Sequence, residues 1–536
     1  MQATARDRVR RFVLRHASVS LAVVFVAAFG LAGVLLLTFT KATTPSASLQ
    51  AEAGTQDGTT LLSDASASGG QAIRFGTAAC TLLPFNLPAA ATRQALPKKA
   101  FAYYFPPFPL SADNKDPSVD YYSKWVDSYN SVNGAYDLRD RPLTPAASTA
   151  TNWRQADFEV EVRQAEAVGL DGFIWEGHTG GDARWAELPD MLAAARAVDP
   201  GFRIMLSPDF PTTAGATTDS VYDMIMAVKD NPSVYKDGGG NIILAPFYPE
   251  RQPISWWTGL ISRLSSAGVK ASLQPIFLSW GQGQYPEWNV SQLSGYSQWG
   301  TRTDSGVSTL TMDTKQAHNL GKTWMQPVAF EDTRSYDGRF WEASNSSLLR
   351  DELTSAITND AQSIAMITWN DYTESWVAPS QERGHAVLDV AAYYIDWFKT
   401  GTAPAIANDA LYWFHRSQPV NAPYSAQPTG RSGQPVAMHI ANGDPAVDQV
   451  ELVAFLKSPG TLVIKQGSTV QTMNAAAGVV SFKVALVPGT TPVFQLQRSG
   501  VTTLTQTSNT PIRSSVTYQD MMYHAGGGTA KPCARP

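Results

Sequence analysis

At 536 residues the chain is too long for one ordinary domain, and its 43% hydrophobic content can build roughly two or three sizeable cores. With 41 basic and 46 acidic residues, a formal charge of -5 and a pI near 5.8, it lacks the basic surface that nucleic acid requires. The 15 Trp and the low charged fraction, 16%, point instead to a neutral ligand such as a sugar.

Residues 1–16 form a basic tail carrying Arg6, Arg8, Arg10, Arg11 and Arg15. The apolar run 17–39 that follows is long enough to span a bilayer as a helix, with the basic side in the cytoplasm. The expectation is a single-pass anchor at the cell membrane that carries the rest of the chain outside; a cleaved signal would release it. Residues 40–99, rich in Ala, Ser, Thr and Gly, read as a flexible linker. Cys80 and Cys533 are the two cysteines, and outside the cytoplasm they are candidates for a disulfide.

A barrel is expected over 100–401. Strand signatures begin at Ala100 to Phe105, then Gly172 to Trp175, with a helix around Asp157 to Val168 between them. Further strands are expected at Phe202 to Ser207, Ile242 to Phe247, Ser272 to Trp280, Ser297 to Trp299, Thr323 to Phe330 and Ser363 to Trp369. Alternation on this scale predicts the α/β class, a TIM-like (β/α)8 barrel with long loops. Its closing helix is marked by Val387, Val390, Ala391, Tyr394, Ile395 and Phe398 at helical spacing, with Gly401 after it. Residues 402–419 read as a connector. A period-two pattern, as in Val480, Phe482, Val484 and Leu486, predicts a small antiparallel β-sandwich-like domain over 420–498, and 499–536 reads as a tail.

Carboxylates recur where the expected strands end: Glu176, Asp209, Glu250, Glu331 with Asp332, and Asp371 with Glu374. A barrel gathers its strand ends at one mouth. Hydrolysis of a glycosidic bond needs one protonated and one ionised carboxyl, which crowding and desolvation supply. Single acids at strand ends more often cap helices or pair with Arg, so Glu250 (beside Arg251) and Asp332 (near Arg334) read as structural, as does Asp171. Asp371 and Glu374 are the favoured catalytic pair because Trp369, Tyr372 and Trp376 surround them. Those aromatics, with Trp175, Tyr104, Trp280, Glu176, Asp209 and Glu331, are candidate substrate-binding residues; Trp288 and Trp299 divide evenly between platform and core. The seven His residues show no H-E-x-x-H spacing, so neither a metal nor a cofactor is expected. No G-x-S-x-G elbow occurs, and Asp237-Gly238-Gly239-Gly240 precedes a strand and reads as a turn.

On AFAYYF (100–105), GLDGFIWE (169–176) and above all ITWNDYTES (367–375), the chain resembles glycoside hydrolase family 71, the α-1,3-glucanases or mutanases. The resemblance implies a (β/α)8 barrel followed by a β domain, α-1,3-glucan as substrate and inversion, with carboxyls about 6.5–9.5 Å apart and a water between. It places the paired acids on Asp371 and Glu374; on our own assignment Glu374 is the acid and Asp371 the base, roles that can be exchanged. Thr373 stands where the family usually has Gly, Trp376 where it often has His, and Trp175-Glu176 where Leu-Asn is common. Another α-glucan or a bacterial surface polysaccharide is therefore an alternative substrate. A non-catalytic polysaccharide-binding protein and an endo-α-mannosidase-like glycosidase are the alternative functions.

Overall fold

The computed structural model describes a hairpin, Thr59–Ser63 with Gln71–Phe75, and a larger body. In that body the described residues are 83–126, 138–177, 183–209, 217–279, 281, 283–425, 437–530, 532 and 535. The expected membrane span 17–39, Trp280, Cys80 and Cys533 lie outside the described residues. Among the described residues, no helix is long and apolar enough to cross a membrane.

The barrel strands are β1 (Lys99–Tyr104), β2 (Gly172–Gly177), β3 (Arg203–Pro208), β4 (Ile242–Leu244), β5 (Ala271–Leu273 continuing as Ile276–Phe277), β6 (Gly295–Gln298), β7 (Thr323–Val328) and β8 (Ser363–Met366). Neighbours pair in parallel from β1 through β5, and β8 pairs with both β7 and β1. Gln274-Pro275 splits β5: its first half pairs with β4 and its second with β6. The two ends of the sheet are thus halves of one strand, and the sheet curls round on itself as a TIM-like barrel.

Side-chain alternation sorts each strand between two cores. Phe101, Tyr103, Ile174, Met205, Ile243, Met325 and Ala365 fill the barrel interior. Ala100, Ala102, Tyr104, Phe173 and Trp175 face the surrounding helices. Those helices are α1 (Trp153–Ala167), α2 (Leu188–Val198), α3 (Thr218–Val228), α4 (Ile254–Ser266), α5 (Val307–Asn319), α6 (Ser347–Thr358) and α7 (Ala386–Thr400). Between β5 and β6 the described residues hold a 3-10 turn, Tyr285–Trp288, where a helix is expected. The closing helix α7 matches its sequence pattern and ends at Gly401, whose φ of 76° suits glycine. Val390, Ile395 and Phe398 on it are fully buried, each contributing about 1.5–3 kcal/mol of apolar burial.

The sandwich is larger than its periodicity announces. Its strands are β9 (Ala410–Arg416), β10 (Gln449–Leu456), β11 (Gly460–Gln466), β12 (Thr469–Ala475), β13 (Gly478–Ala485), β14 (Val493–Arg498), β15 (Val501–Thr507) and β16 (Tyr523–Thr529). They form two antiparallel sheets, β13-β10-β9-β16 and β12-β11-β14-β15. The expected connector 402–419 therefore supplies a central strand, and the expected tail 499–536 supplies two strands. The reason is visible in β9, every residue of which is buried. Leu411 and Trp413 face the sandwich core, while Tyr412 and Phe414 join the barrel core, so the strand reads as continuous rather than alternating. The linker boundary at 99 also moves, because Leu83 and Phe85 already belong to the barrel core and Ala90–Ala95 is helical. Buried polar ties hold the sandwich to the barrel: Arg416 pairs with Glu342 at 3.0 Å, and Glu451 accepts from Ser346 and Arg350.

Candidate active site

The segment after β8 leaves the barrel wall and turns back on itself, with Asn370–Asp371 pairing antiparallel to Ser375–Trp376. Thr368 fixes the turn, accepting from the Asp371 N–H at 2.7 Å and donating to the Ser375 carbonyl at 2.6 Å. Asn370 clamps the loop after β1: its oxygen accepts from Phe105 N–H and its amide donates to the Phe108 carbonyl, both at 2.7 Å. The two carboxyls of the motif are thereby held by backbone pinned to two different strands.

Asp371 is buried, and one of its oxygens accepts from both the N–H (3.0 Å) and the hydroxyl of Thr373. Burial, reinforced by the charge of Glu374, pushes the Asp371 carboxyl well above the usual carboxylate range, although the Thr373 donors and Arg334 oppose the shift. Glu374 is half-buried, with 23% of its side chain exposed. It accepts from Tyr336 hydroxyl at 2.9 Å and pairs with Arg334 at 2.9 Å. Burial raises it too, and Arg334 pulls against that rise. Arg334 is aimed by Asp332, which Arg302 also contacts at 3.2 Å, so Asp332 has the structural role its neighbours suggested.

Tyr103 is the residue that ties the mouth together. Its buried hydroxyl accepts from Ser207 at 3.2 Å, and the carboxylates of Glu176, Asp209 and Asp371 all add to the burial that holds it un-ionised. Glu176 and Asp209, at the ends of β2 and β3, are thus gathered with Asp371 around one phenol. Trp299 meets the Tyr103 ring edge-on at 4.9 Å and lies 4.3 Å from Phe247, which makes an aromatic wall at the same level. Tyr103→Phe, which keeps the ring and deletes one hydroxyl, is expected to cut turnover about 10- to 100-fold with little change in melting temperature. Unchanged kinetics would remove the phenol from the site.

Several expected substrate contacts are placed elsewhere. Tyr104 donates to Glu161 at 2.9 Å and stacks on Trp175 at 5.0 Å, both against the outer helices. Trp369 also reaches Glu161, at 3.1 Å, and is fully buried. Adjacent strand residues face opposite ways, so Trp175 cannot share the mouth with Glu176, nor Tyr104 with Tyr103. Tyr372 and Trp376 are buried in an apolar cluster with Phe108 and Tyr122, leaving no ring face for a sugar. Glu331 is not at the mouth either: it is buried in an ion pair with Arg383 and accepts from Tyr523 N–H on β16. Of the acids read as structural, Glu250 accepts from Leu278 and Ser279 N–H, and Asp171 pairs with Lys399 at 2.6 Å.

Sequence reading missed Tyr103, Arg334, Tyr336 and Arg302. Glu176 held the one usable signal, since it fixes which face of β2 is interior; carrying that parity to Tyr103 requires the β1–β2 register, Tyr103 opposite Ile174.

Thr373 offers a direct probe of Asp371. In Thr373→Gly the hydroxyl donor is lost, so the Asp371 carboxyl rises further. If Asp371 works ionised, the acidic limb of the pH–rate profile moves to higher pH; if it works protonated, the alkaline limb moves to higher pH. A profile with neither limb displaced separates Asp371 from the chemistry.

Residues 146–531 match the model of glycosyl hydrolase family 71. The chain is 26% identical to the glucan endo-1,3-α-glucosidase of Schizosaccharomyces pombe over 66% of its length and 85% of that protein's. It is 21% identical to a mutanase of Penicillium rubens, over 70% of this chain and 85% of that protein. The solved endo-α-mannosidase of Bacteroides thetaiotaomicron overlays with a TM-score of 0.46 and 14% identity, covering 57% of this chain and 98% of that one, too loosely to bear on function. The family match takes in the strands that lead to Glu176, Asp209, Asp371 and Glu374 as well as every strand of the sandwich, and on it the chain belongs to glycosyl hydrolase family 71 and is a glycoside hydrolase.

Proposed function

We propose that the chain is an exported hydrolase of α-1,3-glucan that inverts the anomeric centre, with Asp371 and Glu374 as its carboxyl pair. The observation that carries this reading is a pair of carboxyls in unlike settings at a barrel mouth. One is buried and gripped by Thr373; the other is partly open and faced by Arg334 and Tyr336. Such asymmetry separates the two proton affinities, as acid and base roles require. In the inverting sequence the acid gives its proton to the glycosidic oxygen as that bond breaks. A water attacks from the opposite face and loses its proton to the base. The strongly raised Asp371 and the Arg334-paired Glu374 fit Asp371 as proton donor and Glu374 as acceptor, the exchanged form of the expected roles. The un-ionised Tyr103 and the carboxylates of Glu176 and Asp209 are left to hold the sugar hydroxyls.

The named activities of the S. pombe and P. rubens relatives support α-1,3-glucan. The basic then apolar N-terminus supports export, with anchoring by 17–39. The test is sugar release from a panel of α- and β-glucans, with NMR of the first-formed anomer. Release from α-1,3-glucan as the β-anomer is expected. An α-anomer product overturns inversion, and release only from another polysaccharide overturns the substrate.

A further inference from the structure

Between the barrel and the sandwich, with neither Asp371 nor Glu374 in its lining, lies a cleft of about 420 Å³. The barrel loops contribute Arg139 and Glu382; the sandwich contributes Gln418, just after β9, and the segment from Asn509 to His524. Gln418 is 1% exposed, and neither its amide nitrogen nor its amide oxygen has a protein partner. A buried primary amide left in that state is costly, and it offers a donor and an acceptor side by side. A sugar hydroxyl, which both donates and accepts, answers both needs at once.

The charges of the cleft are largely spent on each other. His524 lies between Glu382 at 2.9 Å and Asp520 at 3.1 Å. Burial opposes its charge, yet those carboxylates raise it to about 10, so the imidazolium persists. Arg139 adds a second cation beside Asp520 and lies 4.0 Å over the Tyr518 ring. Two carboxylates thus face two cations, with Arg513 at the open edge, which suits a neutral polyhydroxyl ligand better than an anion. A second cavity of about 670 Å³ shares Arg513, Val516 and Thr517 with the first and carries Tyr424, 38% exposed. Two adjoining cavities with a tyrosine in each fit a run of sugar rings rather than a single one.

We propose that this cleft is a second, non-catalytic sugar-binding site that holds a neutral gluco-oligosaccharide segment and keeps the enzyme on its polymer. The ligand class rests on the glucan-hydrolase reading; the site itself rests on the cleft. Asn509 and Arg513 are exposed, so Asn509→Ala combined with Arg513→Ala removes ligand contacts without opening a core. Gln418→Leu tests the buried amide at similar volume.

The experiment uses the full chain. With Asp371→Asn to prevent turnover, calorimetric titration with an α-1,3-linked gluco-oligosaccharide is expected to show two sites. The cleft variants weaken one of them about tenfold or more. In the otherwise wild-type chain the same variants reduce adsorption to insoluble polysaccharide and leave hydrolysis of a soluble oligosaccharide unchanged. Wild-type adsorption together with two unaltered sites overturns the proposal. If the wild-type chain neither cleaves nor binds α-1,3-glucan, the substrate reading fails separately. Gluco-oligosaccharides of other linkages, titrated against the cleft variants, then decide the cleft: a second site lost in the variants upholds it, and none overturns it.

Discussion

Asp371→Asn and Glu374→Gln are each expected to lower turnover about 10²- to 10⁴-fold while the melting temperature stays nearly unchanged. Both changes keep shape and remove the ability to exchange a proton. In Asp371→Asn the new amide oxygen can still accept from Thr373, and in Glu374→Gln it can still accept from Arg334, so neither loop loses its anchor. The losses should differ by substrate. A substrate with an activated leaving group needs no proton from the enzyme, so it restores much of the turnover of the variant that lost the acid and none of that lost with the base. A small anion such as azide can replace the attacking water, and it rescues the base variant alone. With Asp371 as the acid and Glu374 as the base, Asp371→Asn responds to the leaving group and Glu374→Gln to azide; the opposite pattern exchanges the roles. Turnover like the wild type in either variant removes that residue from the chemistry.

The barrel is legible in the sequence because eight short apolar runs each end in polar or aromatic residues, a pattern that parallel strands buried on both faces impose. The same burial hides which face of each strand points inward. A strand with one wet face declares its parity by alternation; AFAYYF does not, and so Tyr104 stands in the sequence reading where Tyr103 stands in the fold. The motif acids are legible for a different reason: Asp371 and Glu374 stand among Trp369, Tyr372 and Trp376 directly after an apolar strand, and acids in such a place demand an explanation. The aromatics beside them mislead because packing and sugar stacking select the same side chains. Trp369 answers to Glu161, and Trp376 to Asp140 at 3.0 Å, through indole N–H groups whose partners lie more than two hundred residues away in sequence. Arg334 and Tyr336 escape notice because no local pattern links them to Glu374. The sandwich boundaries fail on β9 and β16, strands defined by pairing across more than a hundred residues.

Arg383→Met is the substitution expected to cost the most stability, about 3–5 kcal/mol by chemical denaturation at pH 8. Arg383 is fully buried at the junction of three parts of the molecule. It pairs with Glu331, donates to the Tyr523 carbonyl of β16 at 3.1 Å, and donates to the Trp376 carbonyl of the carboxyl-bearing loop at 3.0 Å. Its guanidinium lies 3.8 Å over the Trp376 ring. Methionine fills similar volume, and it leaves Glu331 in the dry interface with the Tyr523 N–H and the weaker pull of Arg416 to stabilise its charge. Burial already raises Glu331 to about 7 with the arginine pulling it down. A carboxyl raised above its unfolded value contributes its full stability below about 4.5, and that contribution is lost as pH rises through about 7. Without Arg383 the folded value climbs higher still, so the variant's deficit relative to the wild type is small near pH 5, where Glu331 takes up a proton, and grows toward pH 8. Adding Glu331→Leu removes the stranded charge and should recover most of the loss, since a well-packed apolar pair often equals a buried ion pair. A deficit independent of pH, or no recovery in the double variant, would show that Arg383 holds the junction through its carbonyl and ring contacts alone. In that case Arg383→Met should also reduce turnover, because the loop bearing Asp371 and Glu374 would lose the contact that fixes Trp376.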